Sequence, residues 1–204
     1  MRYIVLDLEY SRNNHQRITE IGALKLEFNE VINKPKIISI FNSQFIQMKD
    51  YVEALNKFLT WLKIGNISYK LCCWGTEDKR ILNKEYYRNK IETSWINNNY
   101  INLQKDYNKV VLKKYFGIKN KHSQLLENRI KIVSMIGLGN ALTLEDIKFW
   151  GKPHHAFPDA YNMTKIFTKY FNDWDFVKKD INSNGSITLD RNNITEIGRD
   201  KNDR

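Results

Sequence analysis

Residues 3–9, YIVLDLE, carry four mostly apolar positions straight into Asp7, Leu8 and Glu9. The run reads as a buried strand, and residues two apart on a strand leave the same face. Asp7 and Glu9 therefore stand side by side where burial is expected. Like charges this close raise each other's pKa, and burial raises both further. Two readings are open: a cation lies between the two acids, or the strand ends at Leu6 and water reaches both.

The rest of the chain alternates strand with helix. Residues 17–28, RITEIGALKLEF, and 36–46, KIISIFNSQFI, read as two more strands, and the short link at 29–35 suits an antiparallel meander. Gly22, inside the second strand, marks a close approach of two backbones or of a side chain. Val52, Leu55, Phe58, Leu59 and Leu62 recur at helical spacing over 50–64. Then come a short strand, YKLCCWG, a helix, EDKRILNKEYYRNK, a strand, YINLQ, and a helix over 104–116. Residues 118–150 read as helical with a break at GLGN, 137–140, and a last helix runs from about Pro158 to about Tyr170. This order predicts an α/β sheet with helices packed on it. One domain over 1–178 suits the length, and 179–204 form a polar, Asn-rich tail with a hairpin signal at NSNGSI. The string ITEIG recurs at 18–22 and 194–198, which without matching flanks is no repeat.

Lys and Arg number 33 against 23 Asp and Glu, a formal charge of +10. That surplus favours a polyanionic partner, nucleic acid before an anionic membrane surface; a generally basic proteome is the bland alternative. Cys72 and Cys73 are adjacent on a strand and point to opposite faces, so they share no tetrahedral metal site. They read as two reduced core thiols of a cytoplasmic protein. No signal peptide is visible, and no apolar run approaches the ~20 residues that span a bilayer, so no membrane partner is expected.

Two more stretches add acids at element ends. In CCWGTEDKRIL a strand breaks at Gly75, and Asp78 falls in the opening turn of the next helix. In GKPHHAFPDAYNMTKI, His154 precedes Asp159 by five, with Pro158 as a natural first helical residue. Asp159 then rides in the first helical turn, and the histidines sit on the loop before it. Each has an ordinary alternative, an acid facing a helix dipole or a solvated His-His loop. Taken together they give three acids, a histidine and an acid. Hard oxygen ligands of this kind suit Mg²⁺ or Mn²⁺, and two such ions stabilise an in-line phosphoryl displacement. A histidine is suited to take a proton from water.

At these residues the chain resembles the DEDDh 3′–5′ exonucleases, most of all the KapD-like and ERI-like branch, over about residues 3–171. VLDLEY fits the first motif, ITEIGALKL the strand after it, WGTEDKRIL the second motif and HHAFPDAYN the third. The spacing of the third motif selects His154 over His155. The resemblance implies an RNase H-like five-stranded mixed sheet of order 3-2-1-4-5 flanked by helices. It implies two divalent cations, Mg²⁺ or Mn²⁺, with Asp7, Glu9 and Asp159 on the first, Asp7 bridging to the second, and Asp78 acting largely through water. His154 would be the general base. The implied reaction is hydrolysis of single-stranded RNA or DNA from a free 3′ end to nucleoside 5′-monophosphates, with RNA slightly favoured. A non-catalytic nucleic-acid-binding or regulatory module that kept the fold is the alternative.

Leu8, Tyr10 and Phe157 are expected to flank the metal centre and stack the terminal base, with plain packing as the other reading. Tyr10 stands where many relatives carry Thr, and Ala156-Phe157-Pro158 where ERI-like relatives tend to have Gly and a second acid. His155 reads as a bystander. Trp74 is expected to pack under the second motif, and Trp61, Trp95, Trp150 and Trp174 in the core. Dimerisation is common among relatives, and no residue here demands a homodimer.

Overall fold

The computed structural model describes residues 2–11, 17–29, 34–44, 48–63, 69–116 and 136–178. Strand β1, Arg2–Tyr10, lies at the middle of a five-stranded sheet of order β3-β2-β1-β4-β5. It pairs antiparallel with β2, Ile18–Asn29, which pairs antiparallel with β3, Lys34–Gln44. On its other side β1 runs parallel to β4, Lys70–Cys73, and β4 parallel to β5, Tyr100–Asn102. The sheet is mixed, as the sequence predicts, and has the expected order.

A central strand is covered on both faces, which is why β1 is apolar without alternation. Tyr3 and Val5 enter one buried cluster, and Ile4, Leu6 and Leu8 enter the other. Helices α1, Met48–Lys63, α2, Glu77–Arg88, and α3, Ser94–Asn99, pack on the second face. Helices α4, Leu103–Phe116, α5, Leu138–Leu144, and α6, Ala156–Lys169, pack on the first. A 3₁₀ turn, Phe171–Asp173, follows α6. Cys72 lies in the first cluster and Cys73 in the second, both buried thiols. None of the described helices is long and apolar enough to cross a membrane.

The structure corrects several boundaries. Helix α3 went unpredicted: SWINNN is short and buries only Ile96. Strand β5 ends at Asn102, and α4 takes over at Leu103. Helix α5 stops at Leu144, so residues 145–150 are not helical. Val52, placed on the apolar face of α1, is exposed. Pro158 is the third residue of α6 rather than its first. The first four N–H groups of a helix have no partner within it, so proline fits there equally well. Trp61 and Trp174 are buried and Trp95 partly so, but Trp150 is 50% exposed and does not belong to the core. The expected helix over 118–135 and the hairpin signal in the tail lie outside the described residues.

Candidate active site

The site begins where β1 runs out from under α6. Across the β1–β2 pair, Asp7 faces Gly22 and Glu9 faces Glu20. A Cβ on Gly22 would lie 2.2 Å from the Ala156 carbonyl carbon and 2.3 Å from the Phe157 nitrogen. Only a residue without a side chain lets the first turn of α6 rest on the strand. This contact carries Asp159, in that turn, to the carboxylates of β1.

Ligand atoms of Glu9, His154 and Asp159 all lie within 4.8 Å of one another. His154 takes a left-handed backbone, φ +61°, and its N–H donates to Asp159 Oδ2 at 3.1 Å. Its ring is exposed, at the mouth of the group. Asp78, in the first turn of α2, is buried, and its Oδ1 accepts the Leu8 N–H at 3.1 Å. The bond ties the start of α2 to the strand between Asp7 and Glu9.

Among the described residues, burial and mutual repulsion dominate the electrostatics of these acids. Burial lifts Asp7 well above the usual carboxylate range, and Asp78, Asp159, Glu9 and Glu20 add to the lift. Burial pushes Asp78 up to about 7, against the N–H groups of Leu8 and of Asp78 itself. Glu9 is raised by burial, then by Asp159 and Glu20, with some relief from the two histidines. Burial also raises Asp159, opposed by the His154 N–H. Converging carboxylates held above their ordinary pKa have the donor set and the charge deficit that a hard divalent cation fills. Glu9 and Asp159 could hold one such ion, with Asp7 and Asp78 beside them and the His154 ring within reach of it.

The sequence reading leaves Glu20 without a role, although it lies inside ITEIG. Its carboxylate sits 3.1 Å from His155 Nδ1 and accepts the Ala156 N–H at 3.1 Å. It thereby holds the start of α6, a task carried by no side chain of the preceding loop. Leu8 requires a correction: its side chain is buried with Ile4 and Leu6 on the face opposite Asp7 and Glu9. Only its main chain serves the site. Tyr10 is half-buried near the start of α2, its phenol pKa raised by burial and then by Glu77 and Asp78. Phe157 is half-buried, edge-on to Trp150 at 6.1 Å. Trp74 packs against Tyr107 at 5.5 Å, behind the second motif.

Sheet order, helix placement and the last long helix laid across β2 match the fold of solved nucleases. Among solved structures the chain is similar to cell-death related nuclease 4, with TM-score 0.61 and 17% identity over 84% of this chain and 64% of that one. It is also similar to the 3′-exonuclease solved for 3′-end specific recognition of histone mRNA stem-loop, with TM-score 0.57 and 14% identity over 84% and 82% of the two chains. A full-length 3′-exonuclease gives TM-score 0.57 and 15% identity over 84% and 60%. The chain thus spans less than two thirds of the first and third of these proteins. No protein-family model matches the sequence, and no curated protein matches it.

Proposed function

We propose that the protein is a metal-dependent 3′–5′ exonuclease that hydrolyses single-stranded nucleic acid to nucleoside 5′-monophosphates. The observation that carries this reading is the meeting of Glu9, His154 and Asp159 within 4.8 Å, beside Asp7 and Asp78, with all four carboxyl pKa values raised. Supporting it are the nuclease names of the similar structures and the +10 charge. One of them was solved for its recognition of a histone mRNA stem-loop, which favours RNA over DNA. In this reading residues 1–178 form the catalytic domain, 179–204 a tail, and the two buried thiols suit the cytoplasm.

Glu9, Asp159, Asp7 and Asp78 would hold two divalent cations, Mg²⁺ or Mn²⁺, which when bound neutralise phosphate charge and acidify the attacking water. An imidazole nitrogen of His154 takes that water's proton as the oxygen bonds to phosphorus. The P–O3′ bond breaks, the departing 3′ oxygen takes a proton from solvent water, and the terminal nucleotide leaves with a 5′-phosphate. The left-handed turn at His154, fastened to Asp159, keeps base and carboxylate in register.

The test is degradation of a 5′-labelled single-stranded RNA and its DNA counterpart with Mn²⁺, with EDTA, and with His154→Ala. The expected result is a ladder shortening from the 3′ end, abolished by chelation and by the variant. Absence of cleavage with Mn²⁺ bound would turn the reading into that of a nucleic-acid-binding module.

A further inference from the structure

Trp150 combines surface exposure with a rigidly held backbone. Half of it is in water, yet its N–H donates to Asn162 Oδ1 at 2.9 Å and its carbonyl accepts from Asn162 Nδ2 at 2.7 Å. Asn162 is itself fully buried, and the same amide also donates to the Pro158 carbonyl at 2.8 Å. A buried polar side chain is thus committed to fixing the backbone of a residue whose ring stays outside. Gly151, at φ +80°, turns the chain so tightly that a Cβ there would lie 3.0 Å from Pro158 Cβ. The loop that carries His154 is in this way pressed onto the first turn of α6.

The ring so held is not alone. It meets Tyr161 at 5.0 Å and Phe157 at 6.1 Å, both edge to face. Lys165 Nζ stands 5.2 Å over the Tyr161 ring. Phe157, Tyr161 and Lys165 follow at steps of four on one stripe of α6, the partly exposed one. At 1.5 Å rise per residue the stripe is about 12 Å long. Stacked nucleotides repeat at about 3.4 Å, so it has room for about three. It starts at Phe157, whose backbone rests on Gly22 opposite Asp7, and leads away from the site along the helix. Lys148 and Lys152, on either side of Trp150 in sequence, are exposed. Aromatic faces bordered by lysines match single-stranded nucleic acid, whose bases stack and whose phosphates need cations.

We propose that Trp150, with Tyr161 and Phe157, is a stacking ledge for bases upstream of the 3′-terminal nucleotide, and that the exposed Lys148 and Lys152 meet the phosphates between them, while Lys165 Nζ, bonded to the Lys148 carbonyl and Asn162 Oδ1 at 3.0 Å each, braces the loop. The proposal rests on the exonuclease reading for the placing of the 3′ end. It commits the ledge to an unpaired strand, because a base in a duplex offers no free face.

The test is fluorescence anisotropy of 5′-labelled ten-nucleotide and two-nucleotide single strands, in EDTA so that nothing is consumed, with the wild type, Trp150→Ala and Trp150→Phe. The ten-nucleotide strand fills the ledge, whereas the two-nucleotide strand places at most one base on it. For Trp150→Ala the ratio of the two affinities should fall about ten-fold, the worth of one base–aromatic stack. The slope of log affinity against log salt should be retained, since no charge is lost. Trp150→Phe should recover most of the ratio. It also replaces Trp150→Ala in the comparison, set against Trp150→Leu, where a thermal melt shows the alanine variant unfolded. An unchanged ratio in variants that fold would overturn the ledge, as would a wild type that binds both lengths equally. Wild type that binds the long strand through Trp150 yet never shortens it with Mn²⁺ would retain the ledge and remove the exonuclease. Cleavage that ignores every Trp150 variant would do the reverse.

Discussion

Glu20 holds His155 and leaves His154 to the carboxylates. The Glu20 Oε1–His155 Nδ1 distance is 3.1 Å, and Glu20 Oε2 takes the Ala156 N–H from the next residue. Two adjacent histidines of identical chemistry are thereby given to different partners. His154→Ala should lower the rate of strand shortening by about 10²–10⁴-fold, the range of a lost general base. His155→Ala should lower it by less than about ten-fold and shift the melting temperature instead. Single-turnover rates of the two variants, measured beside their thermal melts, check the division; equal losses of rate would reverse it.

Gly22→Ala should be among the most damaging single changes. The added methyl would sit 2.2–2.3 Å from backbone atoms of Ala156 and Phe157, which have no rotamer to yield. Overpacking against side chains costs about 1–3 kcal/mol, and against backbone the loss should reach about 3 kcal/mol or more. Urea unfolding of the variant measures it. Wild-type stability with wild-type Mn²⁺ response would mean that helix and strand do not meet as described.

Asp78 sets a pH dependence with a definite sign. Its carboxyl is pushed up to about 7 in the folded chain, against about 3.9 when unfolded. Between those values the native state holds a proton that the unfolded state has released, so metal-free stability falls as pH rises from about 4 through about 7. Mn²⁺ favours the ionised acids, and its stabilisation should grow over the same window. Asp78→Asn keeps an oxygen for the Leu8 N–H and discards the charge. Without metal at pH 8 it should melt several degrees above the wild type, a lead that shrinks toward pH 5. A variant less stable than the wild type at pH 8 in EDTA would contradict this.

Glu145 gives the opposite slope far from the site. Burial would raise its pKa, but bonds from Lys169, Tyr170, Tyr107 and Lys114 outweigh it and bring the carboxyl down to about 2. Tyr107 and Lys114 belong to α4, Lys169 closes α6, and Tyr170 follows it, so one carboxylate joins three segments. The stability it contributes is complete above about pH 4.5 and is lost as pH falls toward 2. Glu145→Gln should cost about 2–3 kcal/mol at pH 7, discounted for the partly exposed lysines, and should weaken the acid-side decline. Urea titrations at pH 7 and pH 3 decide it.

What the sequence makes legible here is whatever depends on order and period. The D-x-E strand, the meander after it, and Asp78 and Asp159 in first helical turns follow from local pattern, because alternation and helix starts are properties of a few neighbours. Adjacent Cys72 and Cys73 had to part to opposite faces for the same reason. What stayed hidden depends on residues remote in sequence. The start of α6 is fixed by Glu20, 136 positions away from the N–H it accepts. The side chain of Leu8 was expected to flank the metal centre and stack the terminal base, although strand alternation already turned it away from Asp7 and Glu9. Trp150 lies in irregular chain, where no period tells inside from outside, and its exposure is decided by Asn162 twelve positions later.

The sheet also acts as a partition. Its two apolar compartments lie on opposite faces of β1 and β4, and the carboxylates of β1 extend the compartment that contains Tyr3, Val5 and α6. Substitutions in the other compartment, among Phe58, Leu82 and Ile96, act on volumes that never touch the helix bearing Asp159. Mutational costs in that compartment should add to those across the sheet rather than couple with them, and reach the site only through α2, which carries Asp78. A chain can in this way share only 14–17% of its residues with similar structures and still keep the same sheet and helix arrangement.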